Sequence, residues 1–180
     1  ISAALLSIAI SASAVAQTIK TSNTHIGLLY PISTNGVHAA EYTNTFSAHA
    51  ISGVSYSEKA FCASGVASVI KDSATGLVAS GFANVIGNKA TGVQAAGFIN
   101  YAGNYTNGVQ SAGFLNYSGG VKGVQTAGFA NIATKEVDGL QAAGFVNIAK
   151  NATCQAGGFI NIADTNRCQL AGFINIAGST

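Results

Sequence analysis

Charged residues are scarce in this chain: 8 Lys or Arg and 6 Asp or Glu among 180 residues, or 8%, against about 25% in an average soluble domain. Disordered chains are highly charged and poor in apolar residues, so a composition that is 48% hydrophobic excludes disorder. An excess of two positive charges forms no basic patch, which leaves nucleic acid without an electrostatic footprint. Long apolar runs are missing too. Beyond residue 16 no stretch of about 18 uncharged apolar residues occurs, which argues against a helical membrane bundle. There is one Pro, no Met and no Trp. Glycine, by contrast, is abundant at 22 residues, and the length suits one domain of moderate size.

Residues 1–16 read ISAALLSIAISASAVA, an apolar stretch that runs into small residues and closes on Ala14-Val15-Ala16 before Gln17. This is the pattern of the apolar and cleavage regions of a secretory signal peptide. Ser2, Ser7, Ser11 and Ser13 leave no single apolar face for a buried amphipathic helix. The expected mature protein runs from about Gln17 and lies outside the cytoplasm.

A repeat dominates the remainder. Aligned on Gly-Phe, the copies are GLVASGFANVI (76–86), GVQAAGFINYA (92–102), GVQSAGFLNYS (108–118), GVQTAGFANIA (123–133), GLQAAGFVNIA (139–149), TCQAGGFINIA (153–163) and RCQLAGFINIA (167–177), with an eroded copy, AFCASGVASVI, at 60–70. Their starts are spaced 16, 16, 16, 15, 16, 14 and 14 residues apart. Residues 17–59 form a preamble, and residues 60–177 hold eight tandem repeats in the same domain.

Numbered from zero, odd positions of the core carry Val, Leu, Ala, Ile, Tyr or Gly, and even positions carry Gln, Ala, Phe, Asn and Ala. Period-two alternation makes a strand with two chemically different faces. One face tolerates exchange among apolar residues, which suits contact with fluid lipid. The other repeats Gln94, Phe98 and Asn100 as Gln110, Phe114 and Asn116, Gln125, Phe129 and Asn131, Gln141, Phe145 and Asn147, Gln155, Phe159 and Asn161, and Gln169, Phe173 and Asn175, which suits a packed interior. All charges fall in the connectors or the preamble, outside core positions 1 to 10.

Two architectures fit. In the leading one each core is a strand of an antiparallel meander. Eleven residues span roughly 36 Å, or about 28 Å when tilted, close to the apolar thickness of an outer membrane. With further strands at His25–Ser33 and Asn44–Tyr56, about ten strands close an up-and-down β-barrel of the outer-membrane type, with the Gln, Phe and Asn positions filling its lumen. In the alternative each unit is one 14–16-residue coil of a parallel β-solenoid, with a corner near Ala-Gly-Phe and with Asn and Gln stacked as ladders. The cysteines separate the two. Cys154 and Cys168 hold equivalent core positions, so they stack within disulfide range in a parallel solenoid but lie at opposite strand ends in a meander. The meander therefore predicts no Cys154–Cys168 bond.

The unit G-[VL]-Q-x-A-G-F-x-N-[IY]-A, with the upstream segments Tyr30–Gly36 and Glu41–Ser47, resembles the leptospiral-type surface-repeat proteins of bacterial envelopes. The resemblance covers about residues 26–180. It implies an exported protein at the surface or outer membrane of a Gram-negative bacterium, and it carries over no catalytic residue or ligand. The chain ends Ile176-Ala177-Gly178-Ser179-Thr180 rather than in the aromatic residue usual for outer-membrane barrels, consistent with a truncated carboxyl end.

Conventional sites are thinly represented. His25, His38 and His49 precede the repeats without metal-ligand spacing, and Glu136 and Asp138 in one connector and Asp164 in another are too sparse for calcium. Ser118–Gly123 lacks the order of a phosphate loop. His49 with Ser47 or Ser52 is the one imaginable nucleophilic pair, as in a small lipid-modifying barrel enzyme. The expectation is a non-enzymatic surface protein with no cofactor and no metal, a lipid bilayer as its partner, and any protein or glycan partner unidentified. The alternative is a soluble or tethered solenoid serving adhesion.

Overall fold

The computed structural model describes residues 18–179, so the signal-peptide expectation for residues 1–16 lies outside the described residues. The chain is all-β and winds into a β-solenoid of about eight coils. The strands are β1 (Lys20–Leu29), β2 (Ile32–Ser33), β3 (Tyr42–His49), β4 (Ser52–Ser55), β5 (Ser57–Ser64), β6 (Ala67–Ile70), β7 (Ala74–Ser80) and β8 (Ala83–Ile86). They continue as β9 (Lys89–Ala96), β10 (Ile99–Ala112), β11 (Leu115–Ala127), β12 (Ala130–Ala133), β13 (Glu136–Ala143), β14 (Val146–Gly157), β15 (Ile160–Ala171) and β16 (Ile174–Ser179). A 3-10 helix, Gly36–Glu41, follows β2, which folds back antiparallel on β1.

From β3 onward every pairing is parallel, and each residue sits beside its equivalent in the next repeat: Asn84, Asn100 and Asn116 align, as do Gln94, Gln110 and Gln125. A long wall is built from β1, β3, β5, β7, β9, β13 and the second halves of β10, β11, β14 and β15. A short wall is built from β4, β6, β8, β12, β16 and the first halves of the same four strands. The antiparallel barrel is therefore not formed, and the solenoid alternative is the fold.

The reason lies at Gly-Phe. The eleven-residue core is not one strand, because Gly97-Phe98 and its equivalents form a corner between the walls. There Phe98 N–H donates to Phe82 O at 2.9 Å and Ile99 N–H to the same oxygen at 3.0 Å, one coil below. A corner of two residues leaves the inward-outward parity intact on both sides, so period-two alternation passes straight through it. A Cβ at Gly97 would run into the carbonyl of Gly81, which explains glycine at this corner. A second glycine column heads the repeats. Gly76, Gly92, Gly108, Gly123 and Gly139 hold φ between +92° and +145°, a backbone that residues with a Cβ avoid. Thr153 and Arg167 replace this glycine in the last two repeats, and there the spacing shortens to 14.

The disulfide expectation falls with the barrel. Cys154 and Cys168 are disulfide-bonded, with Cα atoms 4.7 Å apart, because parallel register stacks equivalent positions one strand spacing from each other.

Candidate functional site

The interior is polar along its length. Gln94, Gln110, Gln125, Gln141 and Gln155 are buried, as are Asn100, Asn116, Asn131, Asn147 and Asn161, while Gln169 and Asn175 lie in the more open last coil. Each asparagine donates from Nδ2 to Oδ1 of the asparagine in the following coil, from Asn84→Asn100 at 2.9 Å to Asn161→Asn175 at 3.0 Å. Each also donates to a backbone carbonyl of the following coil, as Asn100 does to Ser111 O at 2.7 Å. The glutamines run the other way. Gln110 donates to Gln94 Oε1 at 3.0 Å, and the pattern holds to Gln169→Gln155 at 2.7 Å. Two antiparallel chains of amide dipoles thus thread the core, and almost every buried amide finds its partner.

The phenylalanines are not in this interior. The corner turns Phe82, Phe98, Phe114, Phe129, Phe145, Phe159 and Phe173 outward, half-exposed, in one continuous stack with ring centroids 4.7–5.0 Å apart and planes within 13°. The placement of Phe98 and its equivalents in a lumen is thereby corrected: the corner residue escapes the alternation its neighbours obey.

Apolar columns flank this ridge. On the long wall Leu77, Val93, Val109, Val124 and Leu140 stand outward and lead into the Cys154–Cys168 pair. On the short wall the outward column is Val69, Val85, Tyr101, Tyr117, Ile132, Ile148, Ile162 and Ile176. Between the Val column and the Phe ridge lies an open trough of about 920 Å³, floored by small residues such as Ala79, Ala95, Gly97 and Gly113. The connectors and the first half of the long wall carry all the charge of the repeats. Lys89, Lys122, Lys135, Lys150 and Arg167 stand there among Glu136, Asp138 and Asp164. The solenoid is therefore two-natured around its circumference.

A buried cluster occupies the amino-terminal coils, where the repeat is eroded. His25 Nε2 lies 3.0 Å from Ser33 Oγ, and its Nδ1 is 3.3 Å from Asn44 Nδ2 and 3.2 Å from His49 Nε2. His49 Nδ1 lies 3.3 Å from Ser64 Oγ, and the contacts continue through Ser68 and Ser80 to Asn84, the foot of the asparagine ladder. Both rings are satisfied when each imidazole carries its proton on Nε2. Glu58 accepts from Ser47 at 2.8 and 2.9 Å and from Asn44 at 3.1 Å. Burial, reinforced by the neighbouring His49, holds His25 down at about 4, and burial lowers His49 too. Burial raises the Glu58 carboxyl, against the hydrogen bonds that favour its charged form. Cys62 is pushed up to about 12 by burial and by the Glu58 charge.

The pair suggested by the sequence does not assemble. Ser47 gives its hydroxyl to Glu58, and the serine beside His49 is Ser64, not Ser47 or Ser52. Ser64 escapes sequence reasoning because only parallel stacking brings it over His49. Among the described residues no group of three or more His, Cys, Asp or Glu is placed to hold a metal ion, and no helix is long and apolar enough to cross a membrane. No family model, curated protein or solved structure matches the chain.

Proposed function

We propose that this chain is a non-enzymatic, exported β-solenoid of a bacterial envelope surface, akin to the leptospiral-type surface-repeat proteins it resembles, and that it works as an interaction module. One observation carries the reading: a seven-ring phenylalanine ridge with apolar columns on both sides lies on the outside of a fold whose own core is polar and self-satisfied. Large exposed apolar patches mark interaction surfaces, and folding alone gives this one no internal partner. The Cys154–Cys168 bond supports export, since disulfides persist in oxidising compartments. Surface labelling and protease shaving of intact cells test the location. The chain should be labelled and shaved from unbroken cells, and complete protection until lysis would overturn the surface reading.

A further inference from the structure

We infer that the occupant of the ridge is the acyl boundary of a lipid bilayer: the solenoid lies on the membrane with its Phe corner inserted and its charged side in water. This rests on the interaction-module reading and names its partner. Three features of the surface select lipid over a protein.

Charge is the first. The repeats confine every Lys, Arg, Asp and Glu to the connectors and the first half of the long wall. The Val column, the trough, the Phe ridge and the Tyr/Ile column carry none over successive coils. A protein interface keeps a polar rim around each patch, whereas an interfacial lipid-binding surface divides lengthwise into an apolar and a polar side.

Shape is the second. The ridge is convex, standing at the corner between two walls, and runs for six spacings of 4.7–5.0 Å, about 29 Å. A flat partner covers one wall and leaves the other bare. A fluid layer closes around both, and insertion of about 5–10 Å is typical for apolar faces at the headgroup boundary.

Texture is the third. The inward Asn and Gln columns repeat one residue type from coil to coil, but outward columns on either side of the uniform Phe ridge mix sizes: Val85, Tyr101, Tyr117 and Ile132 share a column, as do Ala95, Ser111, Thr126 and Leu170. A rigid partner would have to match each step in height to reach interface packing densities. Lipid chains adjust to it. A second copy of this chain, being rigid, meets the same obstacle.

The chain contains no Trp, which makes a reporter simple to place. In the full chain, Phe114→Trp puts an indole on the ridge and Asn107→Trp puts one on the exposed charged side. Each is mixed with phosphatidylethanolamine/phosphatidylglycerol vesicles containing lipids brominated at the upper acyl chain. The Phe114→Trp emission should shift to the blue and fall at least twofold, while that of Asn107→Trp stays unchanged. Adding Val109→Lys and Leu140→Lys, both outward and compatible with the fold, should raise the lipid concentration for half-quenching at least tenfold. Because quenching reports the face in contact, attachment through another part of the chain is not mistaken for the ridge. Equal quenching at both positions, or none at Phe114→Trp, overturns the proposal. So does a blue shift that grows with protein concentration in vesicle-free buffer and ignores added lipid, which would assign the ridge to a second copy. Should the lysine variant unfold, the two reporters alone decide. Surface labelling fails or succeeds separately: ridge quenching by a protein protected in intact cells would remove the surface reading and leave the lipid contact standing.

Discussion

Val78 stands directly beneath Gln94 in the glutamine column, and the amide that every later glutamine donates to its predecessor has no acceptor there. Gln94 is thus a foot without a rung below it. Gln125, by contrast, donates to Gln110 at 2.7 Å and accepts from Gln141 at 2.8 Å. Replacing each by Leu separates the ladder from the bulk of the side chain. Gln125→Leu leaves Gln141 with the Ile148 carbonyl as its one acceptor and leaves Gln110 Oε1 without its donor, so it should cost about 2–3 kcal/mol. Gln94→Leu removes an unpartnered donor and leaves Gln110 with the Tyr117 carbonyl as its remaining acceptor, so its cost should stay below about 1 kcal/mol. Urea unfolding measures both, and equal losses would mean that the ladder adds nothing beyond packing.

The aromatic ridge gives a second contrast. Phe129 is stacked on both sides, 4.8 Å from Phe114 and 5.0 Å from Phe145, whereas Phe173 touches only Phe159 and is 68% exposed. At about 0.5–1.5 kcal/mol per aromatic pair, Phe129→Ala should cost about 2 kcal/mol and Phe173→Ala about 1 kcal/mol. Thermal unfolding should order them so, and a reversed order would show that the stack is incidental to stability.

How far the sequence foretold this molecule can be judged from single repeats. The 16-residue period, the inward Gln and Asn and the charged connectors were all visible in GVQAAGFINYA and its copies, because burial of a polar side chain demands a partner of the same kind at the same position. The corner at Gly97-Phe98 was not. Alternation reports only parity, and two residues restore parity, so a bent chain and a straight strand read alike. Parity alone therefore places Phe98 inward. The histidine cluster was hidden for another: His25, Asn44, His49 and Glu58 belong to eroded coils without repeat spacing, and only stacking makes them neighbours.

That cluster predicts an acid-sensitive amino-terminal end. Unfolded, His25 takes up a proton around its ordinary value of 6.5, whereas folded it does so only near 4. Between these values the unfolded state binds more protons, so stability falls as the pH drops through the window and levels off below it. At about 1.4 kcal/mol per pH unit, His25 alone contributes a loss of about 3 kcal/mol, and His49 acts in the same direction. Glu58 opposes them, since a raised carboxyl gains stability as it is protonated. Melting temperatures across pH 7.5 to 4.0 should therefore fall less steeply in His25→Asn, which cannot titrate, and more steeply in Glu58→Gln. Parallel curves for all three proteins would place the acid sensitivity elsewhere.

The disulfide should act locally. Cys154–Cys168 spans a sequence separation of 14 and ties β14 to β15, the penultimate turns of a stack in which each coil touches only its neighbours. Constraining a loop of about 15 residues is worth about 3 kcal/mol. In a quasi-one-dimensional fold that stabilisation is felt by the coils it joins and those beyond them. The double variant Cys154→Ser/Cys168→Ser should lose amide-exchange protection by two orders of magnitude or more across β14, β15 and β16. Protection at β9 and β10 should change little, because the amide ladders and backbone pairs there remain whole. A loss of protection spread evenly from β5 to β16 would instead show that the coils unfold as one unit, and the local role of the bridge would be refuted.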